Sequence, residues 1–288
     1  MKSLVENISD TARWVAIFRA EETERPDAVF KDPYARKLAG EKGEQIANTI
    51  GFARQNSWTF VARTHVIDEY ISQHVAEGYD MIINLAAGLD ARPYRMQLPP
   101  ALQWIEVDLP EILAYKKAIL EKDKPVCVLE SISLDLSDRK NRIELFKQLG
   151  KRSAKALIIS EGLIIYLSSK AVGELATDLH QEKSFHRWVF DLASPAVLEM
   201  AIKEMGPHLK EGKAIFQFGP EEGEDFFKPF GWNPIECKSL LQTAAKLNRL
   251  SDEMMAYASM PEPPGPHRPF PWSGVCLLER NWELEIRN

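Results

Sequence analysis

The sequence lacks the features that would place it in a membrane or on nucleic acid. No apolar run approaches the roughly 18 residues that span a bilayer, and the first residues, MKSLVENISDTARW, lack the apolar core of a signal peptide. The formal net charge of −6 offers no basic surface for nucleic acid or an anionic membrane. These absences predict a cytoplasmic protein whose partner is a small molecule, not nucleic acid or a membrane.

Cysteine is also scarce. The three cysteines, Cys127, Cys237 and Cys276, are far apart in the chain and form no Cys-x-x-Cys pair. An odd number at such spacings is typical neither of a disulfide framework nor of a structural zinc site. We therefore expect three buried thiols in a reducing compartment, and no metal site.

The first 75 or so residues have a helical pattern. One helix is predicted over Asp10–Glu24, and a second begins with Ser57 as its N-cap and reaches about Val75. One face of the second helix is formed by Phe60, Arg63, Ile67 and Ile71. A charge among inward-facing apolar side chains is costly unless an anion meets it. Arg63 is therefore a candidate ligand-binding residue.

From residue 80 onward, short apolar runs alternate with helical segments. The predicted strands are Met81–Ala86, Gln103–Val107, Val126–Leu134, Ala156–Ser160 and Trp188–Asp191. The predicted helices between them are Pro110–Lys122, Asp138–Leu149 and Ser169–Glu182. Such alternation predicts an α/β fold with a mostly parallel, Rossmann-like sheet that helices cover on both faces.

The C-terminal part differs from this pattern. Two further strands are predicted at Asn233–Leu240 and Gly274–Arg280, with a short helix near Gln242–Leu250 between them. Their connection is too irregular for a parallel crossover, so we expect an antiparallel hairpin at one edge of a seven-stranded sheet. Another helix is predicted from Pro195, with Ser194 as its N-cap, to a stop at Gly206-Pro207.

These elements suggest a division of the chain into parts. Residues 1–75 would form a helical cap that contributes to a cofactor site, and residues 76–288 would form the main domain. The segment 195–230 contains the predicted helix and the phenylalanines that follow it. We expect this segment to be a helical lid over a hydrophobic pocket.

Carboxylates follow the predicted strands. They are Asp90, Asp108, Asp135, Glu161 and Asp191. Each has a local explanation: Asp108 and Asp135 could cap a helix or turn, Glu161 could be a solvated turn residue, and Asp191 could accept backbone amides. However, ligands of open parallel sheets bind at the carboxyl ends of the strands. Separate local roles do not explain why a carboxylate recurs at successive strand ends, whereas a shared binding site does.

Two nucleotide cofactors suit the loop after the first strand. Ala86, Gly88 and Ala91 fit the small-residue positions of the dinucleotide pattern, and Asp108 has the expected spacing, so spacing alone leaves a dehydrogenase open. A dinucleotide, however, brings an anionic pyrophosphate to this turn, where Asp90 lies and Glu161 is expected nearby. S-adenosylmethionine has no phosphate and carries a sulfonium and an ammonium. The charges favour S-adenosylmethionine, with Arg63 as the partner of its carboxylate.

Several motifs support the same cofactor by resemblance. In chain order they are RAEETERPDAVFKDPYARKLAG, RTHVIDEYI, NLAAGLDARPYRM, EVDLPEILAYK, LDL, SEGLIIYL and GWNPIECKSLLQTAAKLNRL. Together they resemble the leucine carboxyl methyltransferase family over nearly the whole chain, most closely its bacterial tetracenomycin-type polyketide O-methyltransferases. The resemblance implies an S-adenosylmethionine-dependent enzyme that methylates a carboxylate or hydroxyl of a small, aromatic or polyketide-like acceptor. Protein carboxyl methylation and a binding module without turnover remain alternatives.

The resemblance also implies roles for single residues. Arg63 would hold the methionine carboxylate, and Arg19 is a weaker candidate for a second contact with it. Glu161 would face the methionine amino group. Gly88, beside Ala86 and Ala87, would lie next to the methionine and ribose. Asp108, followed by Leu109, would bind the ribose hydroxyls, and Asp135 with Leu136 would bracket the adenine.

Two positions need separate comment. Tyr166, near the end of the fourth strand, is the candidate for a catalytic contact with the acceptor, although a half-buried structural aromatic is an equal alternative. No general base is assigned. The class I methyltransferase pattern has glycine where this chain has Ala86. We expect Ala86 to occupy that turn with a negative φ.

Overall fold

The computed structural model describes residues 9–209, 212, 214–262 and 271–282 of the chain. Within these residues the strands form one sheet: β1 Met81–Leu85, β2 Gln103–Asp108, β3 Val128–Ser133, β4 Ala156–Ser160, β5 Phe185–Ala193, β6 Trp232–Ser239 and β7 Ser273–Arg280. Their order is β3-β2-β1-β4-β5-β7-β6. Strands β1 to β5 pair in parallel, and β7 pairs antiparallel with both β5 and β6. The predicted seven-stranded, mostly parallel sheet with an antiparallel edge is confirmed.

Helices cover the sheet, and four of those that the structure describes precede its first strand in the chain. They are α1 Asp10–Glu24, α2 Ala35–Thr49, α3 Gly51–Gln55, α4 Ser57–Ala76, α5 Arg92–Arg95, α6 Pro110–Ile119, α7 Arg139–Arg152, α8 Ser169–His180, α9 Pro195–Leu209, α10 Leu240–Lys246 and α11 Asp252–Ala258. No helix in the described part of the chain is both long and apolar enough to cross a membrane.

The apolar runs of the sequence explain the centre of the sheet. Every residue of β1 and of β4 is buried, as expected for central parallel strands with helices on both faces. Successive side chains point to opposite faces, so Ile83 packs in one core cluster and Ile82 in another, where Val66 and Ile67 of α4 join it. The edge strand β3 is mostly exposed or half-buried, and it begins at Val128, later than predicted.

The N-terminal helices have the predicted positions. Helix α1 has the predicted bounds, and α4 runs from Ser57 to Ala76. The prediction that Ser57 caps α4 was wrong, because Ser57 is the first helical residue. Asn56 occupies the N-cap position, and its side chain donates instead to the Phe52 carbonyl at 2.9 Å.

Helix α9 starts where it was predicted to start. Pro195 is its first residue, and the Ser194 hydroxyl accepts a hydrogen bond from the Val197 amide at 3.4 Å. The predicted stop at Gly206-Pro207 was wrong, because the helix continues to Leu209. Proline removes its own N–H from the helix and its ring clashes with the preceding turn, but the buried Leu209 side chain anchors the last turn in a core cluster.

Two of the three cysteines are joined. Cys237 of β6 and Cys276 of β7 lie opposite each other and form a disulfide bond, whereas Cys127 is a buried free thiol. The expectation of three thiols was therefore wrong. The two cysteines are 39 residues apart in the chain, so the sequence does not show how β6 and β7 pair. The observed register of these strands brings the two sulfur atoms together.

Candidate active site

A cavity of 1190 Å³ opens at the carboxyl ends of the parallel strands. The strand order reverses between β1 and β4, and open α/β sheets bind their ligands at such a reversal. The volume exceeds the roughly 300–1000 Å³ of a typical small-molecule site. The cavity therefore has room for a cofactor and an acceptor side by side.

The structure brings all the residues that were predicted from the sequence to this one cavity. Its lining includes Arg19, Arg63, Ala86, Ala87, Gly88, Asp108, Leu109, Asp135, Leu136, Glu161 and Tyr166. It also includes Asp90 and Asp191, which were predicted only as members of the set of strand-end carboxylates, and Asn84, which was not predicted. These residues lie at or just after the ends of different strands, or on the N-terminal helices.

The loop after β1 makes a tight turn. Ala86 has φ 53° and Gly88 has φ 50°, so both residues are left-handed. The expectation of a negative φ at Ala86 was wrong, and the left-handed conformation costs an L-residue about 1–2 kcal/mol. A Cβ atom on Gly88 would lie 3.2 Å from the Cβ of Ala12. The turn therefore leaves no easy room for a side chain at position 88.

Asp108 ties this loop to the end of β2. Its Oδ2 accepts a hydrogen bond from the Gly88 amide at 2.6 Å, and its Oδ1 accepts one from the Leu109 amide at 2.7 Å. Burial raises the pKa of Asp108, and the two amide bonds offset that effect only in part, so the pKa stays above its ordinary value. As the pH falls, this carboxyl group therefore takes up a proton at a higher pH than an exposed aspartate does.

Asp135 follows β3 and has a local role in its turn. Its Oδ1 accepts a hydrogen bond from the Ser137 amide at 2.8 Å, as its local explanation suggested. The neighbouring Leu136 carbonyl accepts one from Nη1 of Arg142 at 2.6 Å. Asp135 and Leu136 nevertheless both line the cavity, so the turn holds them at its edge.

Arg63 already has protein partners. Its Nε donates to Oε1 of Glu161 and its Nη1 donates to Oδ2 of Asp191, both at 3.0 Å. The inward charge on α4 is thus met by two carboxylates of the sheet, not left for a ligand alone. A guanidinium has further N–H groups, and these can still bind an anion in the cavity. Asp191 also accepts the Gly162 amide at 2.6 Å, which matches its local explanation.

Arg92 is the main residue that the sequence analysis missed. Its side chain is 2% exposed and donates to Asp68 at 2.6 Å, to Asp90 at 2.9 Å and to Glu161 at 2.8 Å. Arg95 also pairs with Asp68, at 2.7 Å. The two arginines stand close together in the segment DARPYR, directly after Asp90. Two cations beside a strand-end carboxylate were the signal that could have revealed this ion-pair network.

The network keeps its carboxylates ionised. Burial raises the pKa of Asp90, but Arg92, Lys116 and Arg95 more than offset it and lower the pKa to about 2. Burial likewise raises the pKa of Glu161, and Arg92 and Arg63 lower it below its ordinary value. Asp90 and Glu161 are therefore charged at neutral pH, and the arginines balance much of that charge.

Arg19 and Tyr166 lie on the α1 side of the cavity. Arg19 donates from Nε to Asp32 at 2.9 Å and from Nη2 to the Leu89 carbonyl at 2.7 Å. Tyr166 follows β4 in a 3₁₀ turn, is hydrogen-bonded to Thr11, and has its ring 5.2 Å from that of Phe216. Burial raises the pKa of Tyr166. The phenol therefore stays protonated at neutral pH and can donate a hydrogen bond, but it is a poor base.

Much of the cavity lining that comes from the helices is apolar and aromatic. We call these residues the apolar wall, and they are Trp14, Val15, Phe52, Trp58, Phe60, Val197, Met200, Ala201, Met205, Phe216, Met254 and Tyr257. They come from α1, α3, α4, α9 and α11 and from the segment after α9. Such a wall suits a hydrophobic ligand beside the charged strand ends.

Comparison with known proteins identifies the family. The sequence profile described as leucine carboxyl methyltransferase matches residues 12–180, more than half of the chain. A Streptomyces coelicolor protein named as an S-adenosyl-L-methionine-dependent methyltransferase is 30% identical, over 83% of this chain and 87% of its own. A Streptomyces avermitilis protein with the same kind of name is 30% identical, over 77% of this chain and 80% of its own.

A solved structure agrees on the fold. The crystal structure of a DUF574 family protein from Streptomyces avermitilis has a TM-score of 0.61, with 12% identity over 94% of this chain and 97% of that chain. At that identity the likeness concerns the architecture alone. The family profile and the sequence relatives show that the chain belongs to the leucine carboxyl methyltransferase family of S-adenosylmethionine-dependent methyltransferases.

Proposed function

We propose that the protein transfers the methyl group of S-adenosylmethionine to a carboxylate or hydroxyl oxygen of a small, aromatic or polyketide-like acceptor. The observation that carries this proposal is the cavity itself. The strand-end carboxyl groups and Arg63 line it together with the side chains of the apolar wall. The charged groups suit a polar, charged cofactor, and the apolar wall suits a hydrophobic acceptor.

The residues at the strand ends fit the cofactor group by group. When bound, S-adenosylmethionine supplies an electrophilic methyl carbon on a sulfonium. The ionised Glu161 suits its ammonium, and the remaining N–H groups of Arg63 suit its carboxylate. The carboxylate of Asp108 has lone pairs beyond those that accept the two amides, so it can also accept from ribose hydroxyls.

We propose the other cofactor contacts that the sequence predicted, because those residues all line the cavity. Ala86, Ala87 and Gly88 would lie beside the methionine and ribose, and Leu109 next to Asp108. Asp135 and Leu136 would bracket the adenine. Arg19 remains the weaker candidate for a second carboxylate contact, because Asp32 and the Leu89 carbonyl already occupy two of its N–H groups.

We also propose a division of labour along the chain. Residues 1–75 would act as a cap that supplies Arg63 and part of the apolar wall, and residues 76–288 would act as the methyltransferase domain. Within the segment 195–230, Val197, Met205 and Phe216 support a lid because they line the cavity. Phe227 packs instead against Phe190 in the core, with ring centroids 4.6 Å apart. The lid would therefore lie in the first part of this segment.

The task of the chain in the reaction is alignment. Holding an acceptor oxygen in line with a methyl carbon, away from water, can lower a barrier by roughly 7–11 kcal/mol. The apolar wall would exclude water and orient the acceptor. Tyr166, as a protonated phenol on the cavity surface, would hydrogen-bond the acceptor and hold its oxygen in place.

Calorimetry tests the cofactor proposal directly. S-adenosylhomocysteine should release heat on binding, and NAD should not. Asp108→Asn and Arg63→Met should each weaken S-adenosylhomocysteine binding by about 1–3 kcal/mol, the usual effect of losing a buried or charge-assisted hydrogen bond. Asp138→Asn is the matched control, because Asp138 is an exposed helix cap outside the cavity lining. Heat from NAD alone, or unchanged affinity in both site variants, would remove the proposal.

Turnover separates an enzyme from a binding module. The wild-type protein should methylate members of a broad set of phenols and aromatic acids when it is supplied with S-adenosylmethionine. Tight S-adenosylhomocysteine binding without turnover of any member would favour a binding module over an enzyme.

A further inference from the structure

The loop between β3 and α7 contains the two residues proposed to bracket the adenine. Among the described strands, β3 is the last of the sheet and pairs with β2 alone. On the β2 side, the Leu134 amide at the start of the loop donates to the Asp108 carbonyl at 2.9 Å. No described strand flanks the loop on its other side, so any hold there comes from helices.

Arg142 of α7 makes such a contact at the surface of the cavity. Its Nη1 donates to the Leu136 carbonyl at 2.6 Å, and its Nε donates to Oδ2 of Asp178 on α8 at 3.2 Å. Its Nη2 donates to the same carboxylate oxygen. The Asp178 side chain is fully buried and that of Arg142 is 7% exposed. The rigid guanidinium therefore links the loop to two helices through a buried ion pair.

The loop leaves two polar groups available to a ligand. Oδ1 of Asp135 accepts the Ser137 amide at 2.8 Å, whereas its Oδ2 accepts no hydrogen bond from the described residues. The Leu136 amide N–H likewise has no hydrogen-bond partner within the part of the chain that the structure describes. Asp135 and Leu136 both line the cavity. The loop therefore offers an acceptor and, on the next residue, a donor.

An acceptor next to a donor matches one edge of adenine. Adenine presents an exocyclic amino donor beside an unprotonated ring nitrogen, which is an acceptor. Hypoxanthine presents the reverse pattern, a carbonyl acceptor beside a protonated ring nitrogen. A carboxylate and an amide N–H held at a fixed spacing can therefore pair with adenine, whereas hypoxanthine would leave both of them unpaired.

We infer that Arg142 is a positioning residue that makes the cavity selective for adenine over other purines. This inference rests on the proposed function, in which Asp135 and Leu136 bracket the adenine. The peptide group between Leu136 and Ser137 is planar. Arg142 binds its oxygen, and the Asp135 carboxylate accepts from its N–H. By fixing this one plane, Arg142 fixes both the carboxylate that faces the amino group and the loop that carries the amide donor.

Arg139, on the same helix, supplies a matched control. Its Nη2 donates to Oδ1 of Asp178 at 2.9 Å, so both arginines pair with one buried carboxylate. The Arg139 side chain, however, is 47% exposed and lies outside the described cavity lining. Its described ion pairs are with Asp178 and Glu174, not with the loop. Comparing the two arginines therefore separates the pairing with Asp178 from the hold on Leu136.

Two ligands that differ only in the base test the inference by calorimetry. They are S-adenosylhomocysteine and S-inosylhomocysteine, in which hypoxanthine replaces adenine. The wild-type protein should bind the adenosyl compound at least about tenfold more tightly, because the inosyl compound leaves the acceptor and the donor unpaired. Arg142→Met should reduce this preference to less than about threefold, chiefly by weakening the adenosyl compound, which loses its fixed partners. Arg139→Met should retain the wild-type preference.

The ratio of the two affinities distinguishes positioning from a purely structural role. If Arg142 only stabilised the fold, its loss would weaken both ligands by the same factor and leave the ratio unchanged. That outcome would overturn the inference, and so would equal binding of both ligands by the wild-type protein; in either case the proposed function would stand. Failure of the wild-type protein to bind S-adenosylhomocysteine would instead overturn the proposed function, and the inference with it.

A second variant allows for the buried charge that Arg142→Met leaves behind. The double variant Arg142→Met/Asp178→Asn removes the cation and the carboxylate charge together, which costs less stability than removing one partner of a buried pair. It should be folded by circular dichroism and should show the same loss of preference for the adenosyl ligand. A folded double variant that keeps the wild-type preference would overturn the inference. The wild-type comparison of the two ligands needs no variant and can overturn it alone.

Discussion

Replacing Arg92 with methionine should strongly destabilise the fold. Arg92 is almost fully buried and donates to Asp68, Asp90 and Glu161. Its surroundings lower the pKa of Asp90 from 3.8 to about 2, which corresponds to about 2 kcal/mol of stability at neutral pH from Asp90 alone. Removing one partner of a buried ion pair costs about 3–5 kcal/mol, because the other charge stays buried. We expect a loss in that range for Arg92→Met.

Urea denaturation followed by tryptophan fluorescence at neutral pH measures this loss. Arg36→Met is the matched control, because Arg36 also pairs with two carboxylates, Glu24 and Glu44, but its side chain is 44% exposed. Solvent screening should keep the control loss below about 1 kcal/mol. A loss for Arg92→Met no larger than that of the control would refute the argument from buried charge.

The pH dependence of the same experiment has a definite sign. In the wild type the lowered pKa of Asp90 contributes stability that is present above the unfolded value of 3.8 and is lost as the pH falls through about 2. Without Arg92, the pKa values of Asp90 and Glu161 should rise toward or above their ordinary values. Mild acid then neutralises the buried carboxylates of the variant first. The stability gap between variant and wild type should therefore narrow as the pH falls from neutral.

Three further predictions concern the cavity. Ala86→Gly should stabilise the protein by up to about 1 kcal/mol in urea denaturation. The free energy gained by removing the left-handed strain of alanine exceeds the cost of the greater entropy of the unfolded glycine variant. A less stable variant would contradict the presence of strain at Ala86. S-adenosylhomocysteine affinity, measured by calorimetry, should fall as the pH is lowered through the raised pKa of Asp108, and Asp108→Asn should reduce this dependence. Phe216→Ala should weaken the binding of 2-naphthol, used as a model phenol, and leave S-adenosylhomocysteine binding unchanged in calorimetry; equal losses for both ligands would argue against a role of Phe216 in binding the acceptor.

The sheet and the location of the site could be predicted because they depend on local patterns. Buried apolar runs such as Met81–Leu85 mark the central strands, and parallel topology places the carboxyl ends of those strands at one edge. Once the strands were assigned, the residues that follow them had to meet there. The predicted site residues that follow strands consequently line one cavity, and Arg19 and Arg63 reach the same cavity from helices α1 and α4.

Long-range pairing could not be predicted in the same way. Arg63 meets Glu161 across 98 residues and Asp191 across 128 residues, and the Cys237–Cys276 disulfide depends on the register of β6 and β7. The left-handed conformation of Ala86 is imposed by the turn after β1, whose Gly88 amide binds the Asp108 carboxylate. It does not reflect the conformational preference of alanine. In each case the sequence shows the groups but not the tertiary geometry that selects their partners.

The arginine network explains how a site can hold several carboxylates and keep them charged. Buried carboxylates in close proximity raise each other's pKa values, and without cations some of them would take up protons. A protonated Glu161 could no longer pair with an ammonium group. Arg92 and Arg63 lower the pKa of Glu161, so the carboxylate stays ionised before any ligand arrives. The same pairing fixes Arg63 and Arg92 beside the carboxylate whose charge they maintain.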